Sequence, residues 1–258
     1  MTTDLLPDLV SQPERLVALE AVHNFRDLGG YATADGRTTR WRTLFRADGL
    51  YRLTPGDMAI LEPLGLRTVI DLRSAPELEE RGRFPVDVRP VVFHHLPVID
   101  STWAQGDRPD DELDEDFLVW AYQEMLSIGA PRFAMAFEAL AEPGALPAVF
   151  HCAAGKDRTG ILAALLLGSL GVSHDDIVDD YALTAASMVR FREWAAREWP
   201  EWLERMASMP KAFTSALPQA MRQILDDLCA EHGTIRNYVR SIGVSDDTLA
   251  ILESALLV

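Results

Sequence analysis

The sequence is poor in cysteine, in lysine and in long apolar runs, and each shortage excludes something. Its two cysteines, Cys152 and Cys229, lie among 258 residues. They can close at most one bridge, which rules out a disulfide-stapled scaffold and suits a reducing, cytosolic setting. The longest apolar stretch, residues 161–170, is too short to span a bilayer, so no stable membrane insertion is expected. The opening residues, Met-Thr-Thr-Asp-Leu-Leu, lack a basic region followed by an apolar one. No secretory signal is expected, although export by a signal-less route stays compatible. Internal repeats are absent. Positive charge is scarce as well: 24 basic residues face 40 acidic ones, for a net charge of −16. The field of the whole chain therefore repels nucleic acid and anionic lipid. An anionic substrate needs a local positive site that works against that field. Only Lys156 and Lys211 are lysines, a bias that reads as genomic composition.

What is present is the balance of a globular domain, with 48% apolar and 25% charged residues. The length suits a single domain over residues 1–258. Short runs rich in Val, Ile, Leu and Phe predict strands over residues 16–21, 43–46, 68–72, 91–96 and 148–151. Helical patterns lie between them. Thr54-Pro55 predicts a capped helix reaching residue 64, and Ser74-Ala-Pro-Glu77 has capping-box spacing. Residues 117–141 have helical periodicity interrupted near Gly129 and Pro131. The acidic run over residues 107–116 predicts an exposed loop leading into that helix. Alternating strands and helices predict an α/β domain with a mostly parallel central sheet flanked by helices. From Ser173 onward the pattern turns helical, predicting a C-terminal lid or subdomain over residues 173–235. Pro200, Pro210 and Pro218 divide this region.

The chemistry concentrates in His151-Cys-Ala-Ala-Gly-Lys-Asp-Arg-Thr-Gly160. This segment reads as strand, tight loop and helix. A loop closing onto a helix N-terminus turns successive backbone N–H groups toward one point, and the helix dipole adds positive potential. Ala153, Ala154 and Gly155 are small enough for backbone to approach an anion, and Gly155 permits positive φ. Arg158 can grip two phosphate oxygens with its fork. The same field favours the thiolate of Cys152. Thr159 can donate its hydroxyl to that sulfur, and His151 shapes the loop. Lys156 supplies a second cation for the bound phosphate or for a multiply phosphorylated headgroup. The pattern predicts a phosphate monoester hydrolase that works through a phosphocysteine, with no metal or cofactor. An ordinary strand-to-helix turn with a buried, inert cysteine is the plain alternative.

His151 to Gly160 resembles the signature of the protein tyrosine phosphatase superfamily. Asn24-Phe-Arg-Asp-Leu-Gly-Gly-Tyr31 is similar to an N-terminal motif of one bacterial branch. That branch includes secreted mycobacterial enzymes acting on phosphotyrosine, phosphoserine/threonine and phosphoinositides. The resemblance implies the phosphatase fold, a helical lid over the site, and a phosphorylated protein or a phosphoinositide as substrate. The Lys156-Asp157 pair resembles both that branch and lipid-directed phosphatases.

The general acid has two candidates. Many superfamily members use an aspartate in a Trp-Pro-Asp loop, a tripeptide this chain lacks. Asp100, after the strand that precedes the long helix, is its nearest equivalent by position. Asp157 lies inside the phosphate loop, is near the substrate whenever the loop forms, and is favoured on placement. Asn24, Arg26 and Asp27 brace the loop or contact substrate, with Gly29-Gly30 making a turn. Asp71 and Arg73 form a pair beneath the site. The aromatic stretch over residues 188–206 is either a lid over the pocket or a core face. Three readings compete with a phosphotyrosine or dual-specificity phosphatase: a phosphoinositide phosphatase, a phosphate-binding module without turnover, and a rhodanese-type sulfur transferase.

Overall fold

The computed structural model describes residues 15–100, 114–198, 200, 201, 204 and 214–258. Its centre is a five-stranded sheet in the order β1-β2-β5-β3-β4. The strands are β1 (Arg26–Asp27), β2 (Leu44–Ala47), β3 (Thr68–Asp71), β4 (Val92–His95) and β5 (Ala148–His151). Only β1 runs antiparallel to its neighbour; β2, β5, β3 and β4 are mutually parallel. Alternation along the strands explains why the sheet is covered on both faces. Leu44, Ile70 and Phe150 enter the larger core. Phe45, Val69 and Val149 enter a second core on the opposite face, with Val22, Phe25 and Leu61.

The helices are α1 (Pro55–Leu61), α2 (Ala75–Arg81), α3 (Asp114–Ile128), α4 (Ala130–Ala141) and α5 (Asp157–Ser169), followed by α6 (His174–Ala182), α7 (Thr184–Glu198), α8 (Pro218–His232), α9 (Ile235–Ser241) and α10 (Asp246–Leu256). α5 is the central one. It is buried almost all round and shares the larger core with residues of α3, α4 and the C-terminal helices. The predicted cap at Thr54 and capping box at Ser74 open α1 and α2, and Asp57 completes a box at Thr54 as well. No helix among the described residues is long and apolar enough to cross a membrane.

Register does the positioning. Ala47 and Asp71 both pair with His151, and Asp71 also pairs with His95. The C-terminal ends of four parallel strands are therefore level. The residues that follow them form one rim, where open α/β sheets place their ligands.

Two expectations need correction. Residues 16–21 do not form a strand; Leu16 makes one isolated bridge to Arg26. The amides of Glu20 and Ala21 donate instead to the Asp57 carboxylate, at 2.6 and 3.2 Å, so no ladder can use them. The helix expected to reach residue 64 ends at Leu61 and tightens into a 3₁₀ turn over Glu62–Leu64. Pro63 has no N–H to continue the α-helical ladder. The break between α3 and α4 falls at Gly129, and Asp114, Glu115 and Asp116 form the acidic first turn of α3. Residues 107–113 of the acidic run lie outside the described residues, as do Trp199, Trp202, Met206 and Pro210 of the aromatic C-terminal region.

Candidate active site

Cys152 directly follows β5, and α5 begins five residues later at Asp157. The loop between them is held from outside by its carbonyls. Gly49 N–H donates to the Ala153 carbonyl at 3.0 Å. Asn24 Nδ2 donates to the carbonyls of Ala154 and Gly155 at 3.0 and 3.1 Å, and Arg46 Nη2 to that of Gly155 at 2.8 Å. In a trans peptide the N–H lies opposite the C=O, so tethered carbonyls turn the amides the other way. Among the described residues the amides of Ala153, Ala154, Gly155, Asp157 and Arg158 donate to no protein group. Such a ring of unspent donors at a helix N-terminus is a cradle for an oxyanion. Gly155 has φ +65°, and a Cβ there would lie 2.5 Å from the Ala47 carbonyl oxygen. Only glycine fits.

The tethers rest on a buried ionic cluster. Asp180 on α6 is clasped by Arg26 Nε at 2.9 Å and by Arg46, and it accepts from the Tyr31 hydroxyl at 3.0 Å. Burial opposes its charge, but the two guanidiniums hold its carboxyl well below the usual range. Burial, with Arg26 alongside, lowers Arg46 to about 10. Asn24 Oδ1 accepts from Arg26, and from Ser187 Oγ of α7 at 2.9 Å. Asp27 does not reach the loop. Its carboxylate takes the amides of Gly29 and Arg42, at 2.8 and 2.7 Å, and shapes the Gly29-Gly30 turn.

On the other side of β5, Asp71 and Arg73 form a fully buried pair at 2.5 Å, and Arg73 also donates to the Gly82 carbonyl. His151 lies 3.6 Å from Asp71 and is held below its ordinary pKa by burial, which favours the neutral ring.

Arg158 is 6% exposed, and Glu77 from α2 takes both ends of its fork, at 2.5 and 3.1 Å. Burial disfavours the Glu77 anion, but Arg158 outweighs it and brings Glu77 down to about 2. Burial likewise opposes the Arg158 charge, and the neighbouring Cys152 and Glu77 reverse that, raising it above its ordinary value.

Lys156 does not stand on the loop rim. It is 1% exposed, and its ammonium donates to the Ser215 carbonyl at 3.1 Å and lies 3.4 Å from Asp157 Oδ1. Asp157 Oδ1 also accepts from the Tyr122 hydroxyl at 2.5 Å. The Thr159 hydroxyl is buried and bonds to nothing among the described residues.

Cys152, Ala153, Ala154, Asp157, Arg158, Glu77 and Arg81 line one cleft of about 420 Å³. Asp100 is exposed and is not among the residues lining that cleft. A smaller pocket of about 80 Å³ adjoins it at Ala153 and Ala154, walled by Arg52 and by Met188 and Phe191 of α7. Among the described residues no group of three or more His, Cys, Asp or Glu side chains is arranged to hold a metal ion. Sequence reasoning missed Glu77, Asp180, Arg46 and Tyr122. Glu77 stood out only as a capping-box residue, and that box is the one signal that fixed its place.

The family described as the tyrosine phosphatase family matches residues 17–258. A Cupriavidus necator protein provisionally named a tyrosine-protein phosphatase is 34% identical over 87% of this chain and 82% of its own. A tyrosine-protein phosphatase of Nostoc commune is 30% identical over 82% of this chain and 73% of its own. The triple specificity protein phosphatase PtpB of Mycobacterium tuberculosis is 28% identical over 93% of this chain and 98% of its own.

Proposed function

The chain belongs to the tyrosine phosphatase family, and from that premise we propose that it hydrolyses phosphotyrosine in proteins, with Cys152 as nucleophile and Asp157 as general acid. The cradle carries the reading: unspent amides surround Cys152 at the foot of a cleft, with the fork of Arg158 already oriented by Glu77. The depth of the site supports an aryl ester. Cys152 is only 2% exposed, so a phosphate must reach down to the sulfur, and a tyrosyl ring gives longer reach than a seryl methylene. The Phe191 and Met188 wall beside the cleft offers that ring an apolar neighbour.

The reaction balances in two steps. The Cys152 thiolate forms an S–P bond as the P–O bond to the aryl oxygen breaks, and Asp157 passes its proton to that oxygen. Water then attacks phosphorus, the S–P bond breaks, and Asp157 takes the proton back. Arg158 and the loop amides stabilise the equatorial oxygens throughout. The buried cluster around Asp180 keeps the loop in shape, and Asp71 and Arg73 support the strand end beneath it. Asp100 is the alternative acid, and its exposed place outside the cleft supports it less than Asp157.

A phosphoinositide reading drew on Lys156 as a second cation. The inward course of that side chain, onto the Ser215 carbonyl and Asp157, favours the phosphotyrosine reading instead. Turnover of phosphotyrosine peptides and short-chain phosphoinositides, measured side by side with a Cys152→Ser control, tests both. Preferential release of phosphate from the peptides, abolished in the control, is the expected result. Equal or greater release from the lipids overturns the substrate assignment, and activity retained by the control overturns the mechanism. We further propose that, within the helical stretch that follows α5, α7 acts as a cover, since its Met188, Phe191 and Trp194 pack with Ala154 of the loop.

A further inference from the structure

Tyr122 and Tyr181 are buried tyrosines that the mechanism above does not use. Tyr122 comes from α3 and Tyr181 from α6, and their hydroxyls lie 2.6 Å apart. The Tyr122 hydroxyl also reaches Asp157 Oδ1 at 2.5 Å. A phenol has one proton to give. The carboxylate oxygen can only accept, so the Tyr122 proton belongs to Asp157, and Tyr181 must donate to Tyr122. The chain of donors therefore runs one way, from Tyr181 through Tyr122 to Asp157. Burial, reinforced by the nearby Asp157 charge, raises both phenols above their ordinary pKa, so both keep their protons across the working range.

The asymmetry at Asp157 gives this chain a purpose. Oδ1 takes Tyr122 and faces the Lys156 ammonium at 3.4 Å, while Oδ2 accepts nothing among the described residues. We propose that Tyr122, backed by Tyr181, is a positioning residue: it fixes the carboxyl of Asp157 through Oδ1 so that Oδ2 carries the proton delivered to the leaving oxygen. Without that anchor the carboxyl rotates about its last torsion, which is broad and two-fold in free side chains. The two oxygens would then exchange roles, and the proton would spend less time aligned with the breaking bond. This inference rests on the assignment of Asp157 as the general acid.

Leaving-group dependence separates positioning from mere structural support. Proton donation matters most when the departing aryl oxide is basic, and least when it is a stable anion. The test compares kcat/KM of the wild type, Tyr122→Phe, Tyr181→Phe and Asp157→Asn on p-nitrophenyl phosphate and on phenyl phosphate. kcat/KM reports the first P–O cleavage and is blind to later hydrolysis of the phosphocysteine. Asp157→Asn is expected to lose about 100-fold on phenyl phosphate and far less on p-nitrophenyl phosphate. Tyr122→Phe is expected to lose about tenfold on phenyl phosphate, also with a smaller loss on the better leaving group. Tyr181→Phe should follow in the same sense with a smaller effect. It also serves as the second variant should Tyr122→Phe fail to fold. If both phenylalanine variants lose equally on the two substrates, or lose nothing, the positioning role is overturned while the acid assignment stands. If Asp157→Asn itself shows no leaving-group dependence, the acid assignment falls and this inference with it.

Discussion

A guanidinium as enclosed as that of Arg158 needs an anion before any substrate arrives, because an unpaired buried charge is costly. Glu77 supplies it from the first turn of α2. The capping box that opens this helix fixes the Glu77 side chain, since Ser74 N–H and Oγ both donate to Oε2, each at 3.0 Å. The same oxygen accepts from Arg158. One carboxylate thus ends a helix and aims an arginine. Glu77→Gln keeps the shape but removes the charge that holds the fork. It is expected to lower stability by about 1–3 kcal/mol and to reduce kcat/KM on an aryl phosphate by roughly tenfold or more through misaimed Arg158. Urea unfolding and steady-state kinetics check the two effects; a variant with wild-type values in both would remove Glu77 from the site. Lys156 teaches the opposite lesson about residues. Its place inside the loop was plain in the sequence, but spacing does not say where a four-carbon stem ends. Ser215, which receives it, lies far along the chain.

Among elements, the unit of β5, loop and α5 was legible because its signal is local: an apolar strand, small residues at the turn, and an apolar helix. The parallel sheet followed from alternation. Residues 16–21 were misread because an apolar run carries no record of a carboxylate that captures its amides from α1. The bracing cluster was hidden for the same reason. Asn24 and Arg26 were visible in a motif, but Asp180 and Arg46, which complete it, lie in elements whose meeting depends on the fold. Gly155 ties the loop to β2 through a contact that admits no side chain. Gly155→Ala forces a residue at φ +65° against backbone, with its Cβ 2.5 Å from the Ala47 oxygen. A cost of about 1–3 kcal/mol is expected, and the loop can relieve it only by shifting amides away from the phosphate position. Turnover should therefore fall by more than the lost stability explains. A thermal scan beside kcat/KM measured well below the transition shows the difference, and a variant that is less stable yet fully active would contradict the close-fit account.

For the molecule as a whole, titration predicts weakness toward acid. His23 and His151 are both held below their ordinary pKa, chiefly by burial. The unfolded chain therefore binds their protons first, and stability present above about pH 6.5 is lost as pH falls toward the folded values. Asp180, Asp71 and Glu77 are depressed carboxylates. Their contribution is present above about pH 4 and goes as pH falls through the folded values. Two successive losses are expected in the thermal midpoint as pH is lowered from 7. Asp180→Asn leaves two buried guanidiniums without their anion. It should cost about 3–5 kcal/mol at pH 7 and flatten the second loss; an unchanged acid limb would detach Asp180 from it. Charge also governs how substrate arrives. Three cations at the site are matched, Arg158 by Glu77, Lys156 by Asp157 and Arg52 by Asp48, while Arg81, which also lines the cleft, pairs with no carboxylate among the described residues. Close pairs cancel at a distance, so an approaching dianion meets mainly the net charge of −16. Screening weakens that repulsion, because the Debye length falls from about 30 Å at 0.01 M salt to about 8 Å at 0.15 M. kcat/KM for an aryl phosphate is therefore expected to rise with sodium chloride over this range. A site whose cations projected freely would show the reverse, and a fall in kcat/KM with salt would mean that the local positive field, despite its paired carboxylates, outweighs the charge of the whole.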